Sequence, residues 1–271
     1  MRRALVSGIT GHLGREVARQ LSQRGIEAYG LTRQLVAQDH LLQIDGSTES
    51  ILRAFEQTNP DVVIHLAGLS RREHLASDIE PFVTANILFG TQLLEGMRAS
   101  GCRRMITVGT YLQHFDTDAF RAFNLYAATR QAFETVLEFY IDAYDISAVR
   151  LTLADVYSEH DTRPKLMTDL ARAWANSTPL NLRDPESRVD LIHLEDAAAA
   201  FLQAAALLES GDIPDRSLSR YFVSSGEDIT ALELAKRFER HAGRNLQITS
   251  DSATAPSRRI KPRRTWPSFL P

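Results

Sequence analysis

The stretch Val6-Ser7-Gly8-Ile9-Thr10-Gly11-His12-Leu13-Gly14 decides the fold. It follows a short apolar run, Ala4–Ser7, and opens an amphipathic segment, Leu13–Arg24. Three glycines at equal spacing let the backbone turn sharply and lie close to a ligand. The N–H groups at the start of the following helix are unpaired and carry a partial positive charge. Together these features bind a pyrophosphate. Three glycines alone are a weak signal, and an ordinary glycine-rich turn is the plain alternative. Here they sit between a strand pattern and a helix pattern, which is the context a dinucleotide site requires. The reading assigns cofactor contact to Gly8, Thr10, Gly11, His12, Leu13 and Gly14.

Outward from this loop, strand and helix patterns alternate. Strands are expected at Glu27–Thr32, Leu41–Ile44, Asp61–Leu66, Arg104–Val108 and Ser147–Leu151. Helices are expected at Thr48–Glu56, Phe82–Ser100 and Tyr126–Tyr144. This alternation predicts an α/β, Rossmann-type, doubly wound parallel sheet with helices on both faces. Residues 1–155 form the dinucleotide-binding domain with the catalytic residues. Residues 156–271 are mainly a smaller substrate-binding lobe, with helices near Lys165–Asn176, Glu195–Leu208 and Thr230–His241 and a return to the first domain at about 189–208. The tail from Pro256 to Pro271 carries four prolines and five basic residues and is expected to be either a disordered end or the remnant of a trimmed lobe.

Composition narrows the field. The chain has 271 residues, 44% of them hydrophobic, and 31 basic against 34 acidic side chains give a formal charge of -3. That balance offers no basic surface for nucleic acid or an anionic membrane. The single cysteine, Cys102, rules out an internal disulfide and a cysteine-rich metal site, and points to a reducing, cytoplasmic setting. No metal site is expected. The apolar stretch Ala197–Leu208 is interrupted by Gln203 and falls far short of the roughly 20 residues a membrane helix needs.

The glycine spacing resembles that of the extended short-chain dehydrogenase/reductases, the NAD-dependent epimerase/dehydratase family. That resemblance implies several site residues. Arg33, ending Gly30-Leu31-Thr32-Arg33, stands where an acidic residue would favour NAD. A cation there suits a 2′-phosphate, so NADP(H) is expected, with NAD(H) possible if Arg33 is an ordinary surface cation. Asp45 and Gly46 match the segment that meets the adenine. Leu66, Ala67 and Gly68 match the small-residue turn that passes close to the cofactor. Asn86 matches an asparagine behind the site and is expected to tether a helix.

The family's chemistry rests on Ser/Thr and Tyr-x-x-x-Lys. This chain has Thr110 after the fifth strand and Tyr126-Ala127-Ala128-Thr129-Arg130 on the next helix, where positions i and i+4 share a face. A free phenol titrates near 10, so acid/base work near neutrality needs a neighbouring cation. Arg130 stands where the family has lysine; it keeps the charge but offers a planar fork. The catalytic set is therefore Thr110, Tyr126 and Arg130, the last two also touching the cofactor.

Tyr111 and Leu112 replace the Asp-Glu pair of the sugar-nucleotide dehydratases, which argues against dehydration. The strip Gly109–His114 and the segment Asn124–Thr129 are most similar to nucleotide-sugar 4-ketoreductases of deoxysugar biosynthesis, such as paratose and abequose synthases. The resemblance runs from Arg3 to about Val156, and more weakly from Asp161 to Ala200. It implies NADPH-dependent reduction of the C4 ketone of a nucleotide-activated 4-keto-6-deoxy or dideoxy sugar. Tyr111, Gln113 and His114 would lie near the sugar. Arg163, Lys165 and Arg188 would meet the diphosphate unless they are surface cations. A nucleotide-sugar 4-epimerase and a non-catalytic NADP(H) sensor are the alternatives, the latter because of Arg130. A homodimer is implied, with Ile87, Leu94, Phe133, Leu137 and Tyr140 as either its interface or core.

Overall fold

The computed structural model describes residues 1–34, 39–114 and 119–250, together with the backbone of Ser268–Phe269. In chain order the elements are β1 (Arg3–Ser7), α1 (His12–Gln23), β2 (Glu27–Thr32), β3 (Leu41–Gln43), α2 (Thr48–Thr58), β4 (Val62–His65), α3 (Ile79–Val83), α4 (Phe89–Ser100), β5 (Arg104–Thr110), α5 (Leu125–Tyr144) and β6 (Ser147–Leu153). They continue with β7 (Asp155–Tyr157), α6 (Leu166–Asn176), β8 (Leu180–Asn181), β9 (Arg188–Val189), β10 (Leu191–His193), α7 (Leu194–Ser210), β11 (Leu218–Val223), β12 (Ile229–Thr230), α8 (Ala231–Ala242), β13 (Ile248–Thr249) and β14 (Ser268–Phe269).

The main sheet is parallel, in the order β14-β11-β6-β5-β4-β1-β2-β3. Its central strands are continuous apolar runs because helices cover both faces; Val62, Val63 and Ile64 are fully buried. Chain order reverses between β1 and β4. Loops leaving the carboxyl ends at such a switch point form a crevice. Register aligns those ends: Ser7 pairs with Leu31 on one side and His65 on the other, and His65 pairs with Thr107.

Two features differ from the sequence expectations. The helix expected at Phe82–Ser100 begins at Ile79 and contains a π turn at Thr84–Leu88, between α3 and α4. The return of the chain to the main sheet also extends further than 189–208. After α7, which packs along α1, β11 adds beside β6. Its pattern, Leu-Ser-Arg-Tyr-Phe-Val, is polar enough to read as a loop, because Arg220 is paired to helix carboxylates. The tail reading from Pro256 lies outside the described residues, except that Ser268–Phe269 pairs with β11.

The smaller lobe has its own core of Leu170, Ala173, Leu182, Leu234 and Ala235. Its helix α8 starts with a reciprocal cap: Glu233 N–H donates to Thr230 Oγ1 at 3.1 Å, and Thr230 N–H donates to Glu233 at 2.8 Å. Leu94, Phe133, Leu137 and Tyr140 all belong to the core under the main sheet, so they are not available as an interface. Among the described residues, no helix is long and apolar enough to cross a membrane.

Candidate active site

The glycine loop has the geometry a phosphate cradle needs. Gly8 sits at φ +76°, and Gly11 N–H donates to Gly8 O at 2.9 Å. A Cβ on Gly14 would lie 2.1 Å from Gly8 O, and one on Gly8 would lie 2.8 Å from Ala67 N. Only glycine allows this packing of loop, helix and β4 turn. Gly11 is the N-cap of α1, with no side-chain cap and no acidic residue in the first turn. The N–H groups there, with the helix dipole behind them, suit a diphosphate. Thr10 presents its carbonyl to Arg15 Nε at 2.8 Å, and Leu13 packs into the core. His12 Nε2 lies 2.9 Å from Ser158 Oγ, and burial pulls its pKa below the ordinary histidine value.

Further round the crevice, Arg33 is exposed just beyond β2. Asp45 accepts from Ser47 N–H at 2.8 Å and Ser47 Oγ at 2.6 Å, which hold its carboxyl down at about 2. Gly46 takes φ +90°, and its carbonyl accepts from Gln92. The turn Leu66–Gly68 is tied to β1 by Leu66 N–H to Ser7 O at 3.1 Å and Ala67 N–H to Ser7 Oγ at 3.2 Å. Asn86, fully buried in the π turn, accepts from Leu69 N–H at 2.8 Å. It also donates to Thr129 Oγ1 at 2.9 Å, tethering β4's loop to α5.

Tyr126 and Arg130 lie one turn apart near the start of α5, which Asn124 caps by accepting from Ala127 N–H at 3.0 Å. Tyr126 lines a cleft of about 680 Å³ between the main sheet and the smaller lobe. Arg130 Cζ stands 5.9 Å from the Tyr126 ring centre. Arg130 is only 5% exposed, and its Nη2 donates to Ala67 O at 3.0 Å. Its Nε and Nη1 are buried with no hydrogen-bond partner among the described residues. Two N–H groups left this way beside the glycine loop and the β4 turn fit a cofactor that brings acceptor oxygens. Thr110 ends β5, and its Oγ1 accepts from Leu112 N–H at 3.3 Å.

The expected sugar and diphosphate residues separate into two groups. Tyr111, Lys165 and Arg188 line the cleft. Tyr111 donates to Asp155 at 3.1 Å; burial, and then Asp155, raise its pKa well above the phenol value. Asp155 is also raised by burial, and Lys165, donating to Val156 O at 2.8 Å, is lowered by burial. Arg188 is paired with Asp228 at 2.8 Å. Gln113 and His114 do not lie where the sugar was expected: both are buried and, like Thr110 and Arg130, they are not among the residues that line the cleft. Gln113 bonds to protein groups behind Thr110, and the His114 ring packs at 4.9 Å against Phe120. Arg163 is also drawn off, gripped by both Asp161 oxygens at 2.7 and 2.6 Å.

Sequence reasoning overlooked His65, Arg150 and Asp155. His65 is fully buried beneath the β4 turn, hydrogen-bonded to Ser7 at 2.7 Å. Burial, with Arg130 nearby, drives its pKa down to about 3. Its signal was a histidine at the end of an apolar strand, which reads equally as core.

Comparison with known proteins agrees with this architecture. Ceramide reductase of Caulobacter vibrioides is 30% identical over 204 residues, covering 72% of this chain and 58% of that protein, so the chain spans little more than half of that relative's length. CDP-abequose synthase of Salmonella muenchen is 21% identical over 212 residues, covering 74% of this chain and 69% of that one. Among solved structures, the UDP-glucose 4-epimerase of Thermus thermophilus in complex with NAD superposes with a TM-score of 0.78 at 23% identity, covering 96% of this chain and 90% of that one. The UDP-glucuronic acid 4-epimerase of Bacillus cereus gives 0.81 at 18%, covering 98% and 90%. The pattern of the NAD dependent epimerase/dehydratase family matches residues 4–217, most of the chain, and the protein belongs to that family.

Proposed function

We propose that this protein uses NADPH to reduce the C4 ketone of a nucleotide-activated 4-keto-6-deoxy or dideoxy sugar. The observation that carries the reading is the pair on α5. Tyr126 lines the cleft, while Arg130, one turn on, holds two buried N–H groups that no atom of the described residues accepts. The reduced nicotinamide, when bound, supplies the hydride that adds to the carbonyl carbon. Tyr126 gives its phenolic proton to the carbonyl oxygen and regains one from solvent. The Thr110 hydroxyl donates to the same oxygen as negative charge grows on it. Arg130 Nε and Nη1 would hold the cofactor's ribose hydroxyls in place. Lys165 and Arg188 on the cleft wall meet the substrate's diphosphate. Arg33 meets a 2′-phosphate, which makes NADP(H) the cofactor over NAD(H). Two copies associate as a homodimer through outward positions such as Leu88 and Phe139, which are 48% and 58% exposed.

The curated relatives supply both the sugar reading and a lipid one, since one of them is a ceramide reductase. A 4-epimerase is the second reading, supported by the fold shared with such enzymes. Purified protein is incubated with NADPH and either thymidine diphosphate 4-keto-6-deoxyglucose or a ceramide-type ketone, and loss of NADPH absorbance is followed. Turnover of the sugar ketone is the expected result. Turnover of the lipid ketone alone overturns the substrate, and C4 inversion of a nucleotide-sugar on retained NAD without net NADPH loss overturns the reaction. Binding of NADPH with no turnover across a panel of ketone substrates favours the non-catalytic sensor.

A further inference from the structure

Behind Thr110 runs a buried polar chain that neither the cofactor nor the cleft accounts for. Arg150, mid-strand in β6, is 2% exposed. Its Nε pairs with Glu134 at 2.9 Å, and its Nη2 donates to Gln113 Oε1 at 2.7 Å. That same oxygen accepts the Thr110 N–H at 3.0 Å. Gln113 Nε2 donates to Gln131 at 2.9 Å, and the other Glu134 oxygen takes Arg220 Nε at 2.6 Å. The guanidinium lies flush against β5: a Cβ on Gly109 would stand 2.3 Å from Arg150 Nε.

A charge pair this deep is a poor device for stability. Desolvating the ions offsets most of their attraction, and well-packed apolar side chains serve as well or better. What the chain does hold is the Gly109–Thr110 peptide. The Thr110 hydroxyl is held by backbone N–H groups of its own turn, Leu112 N–H at 3.3 Å among them, so its direction depends on how that turn and its peptide are fixed. We propose that Gln113 and Arg150 are positioning residues that lock the Thr110 backbone, and with it the orientation of the Thr110 hydroxyl, while Glu134 and Arg220 keep Arg150 in place. The catalytic consequence rests on the reading of Thr110 given above. The locking of its backbone does not.

The test compares Gln113→Met, which keeps length but removes the acceptor, with Gln113→Glu, which keeps an acceptor for both Thr110 N–H and Arg150. Arg150→Met repeats the first from the other end. Two readouts are taken: hydrogen exchange of the Thr110 amide, and steady-state kinetics with NADPH and thymidine diphosphate 4-keto-6-deoxyglucose. Gln113→Met and Arg150→Met are expected to speed Thr110 exchange by about tenfold or more. They also lower kcat by about tenfold, with KM and NADPH affinity within about threefold of the parent; Gln113→Glu stays within about threefold on every readout. On a Thr110→Val background, Gln113→Met lowers kcat no further. Unchanged Thr110 exchange in Gln113→Met, an equal loss in Gln113→Glu, or an additive loss with Thr110→Val overturns the proposal. If Thr110→Val alone leaves kcat intact, or the parent does not turn over the sugar, the reading of the site falls. The exchange data then decide the locking separately.

Discussion

Gly68→Ala is the most searching small change available, because it adds one methyl where Arg130 already lies. The new Cβ would stand 2.1 Å from Arg130 Nη2, 2.6 Å from its Cζ and 2.9 Å from Asn86 Oδ1. Ordinary carbon contacts are about 3.5–4 Å, so the overlap exceeds an ångström. The guanidinium is 5% exposed and bonded to Ala67 O at 3.0 Å, so it retreats only by breaking that bond. Overpacking costs about 1–3 kcal/mol, and a hydrogen bond from a charged donor contributes about 1.5–3 kcal/mol. Against them stands a gain of about 0.4–1 kcal/mol from a less flexible unfolded chain, since Gly68 does not need positive φ. The sum is a loss of about 1.5–5.5 kcal/mol, or roughly 3–22 °C of melting temperature for a chain of this size. Arg130→Lys shortens the head group and frees the space. In that background Gly68→Ala is expected to cost at least about 1 kcal/mol less. Four thermal melts of the apoprotein close the cycle. Equal costs in the two backgrounds, or a stable single Gly68→Ala variant, would refute the claim that Arg130 occupies the space Gly68 leaves.

Other outcomes follow from the same geometry. Tyr126→Phe should lower kcat by about 10²–10⁴-fold while NADPH binding, followed by fluorescence titration, stays unchanged; robust turnover would remove Tyr126 from the chemistry. Arg33→Ala should weaken NADPH about tenfold or more and leave NADH unaffected, since it removes one charge-assisted contact to a 2′-phosphate. Equal effects on both cofactors would make Arg33 a surface cation. For pH, His65 is held down to about 3 from an ordinary 6.5, so the folded protein keeps it neutral while the unfolded chain takes up a proton. Its contribution is complete above pH 6.5 and is lost as pH falls towards 3, a change of several kcal/mol. Urea midpoints measured across that window should fall less steeply for His65→Asn than for the parent. Parallel slopes would show that carboxylates alone drive the acid loss.

The sheet was legible because its signals are local. An apolar strand, a glycine turn and an amphipathic helix each announce themselves within a dozen residues, and their alternation leaves few topologies. Helical spacing puts Tyr126 and Arg130 on one face, but it was the resemblance to the family's Tyr-x-x-x-Lys motif that singled them out. What could not be read was which polar side chains the fold would draw inward. Gln113 and His114 look like cleft residues in the sequence because they follow Thr110, yet the short turn Tyr111–Gln113 carries them under the sheet. There Arg150 is already waiting, on a strand whose other residues are all buried. Nothing within β6 marks Arg150 as different from a solvated arginine, because its partner Glu134 is on α5 and Gln113 is in the intervening turn. The pairing of Arg163 was hidden for the same reason: the carboxylate that grips it, two residues earlier, reads equally as a surface acid.

Arg130 shows how such pairings change the meaning of a substitution. Read as a sequence, arginine for lysine poses only a question about chemistry at the ribose. In the fold it is a steric statement as well, because the longer head group reaches back to Ala67 O and fills the space beside Gly68. The arginine's Nε and Nη1 still keep no partner among the described residues. The departure from the family pattern is thus matched by a second residue some 60 positions earlier. The glycine at position 68 is what lets an arginine stand at position 130 without displacing the β4 turn, against which Gly8 packs.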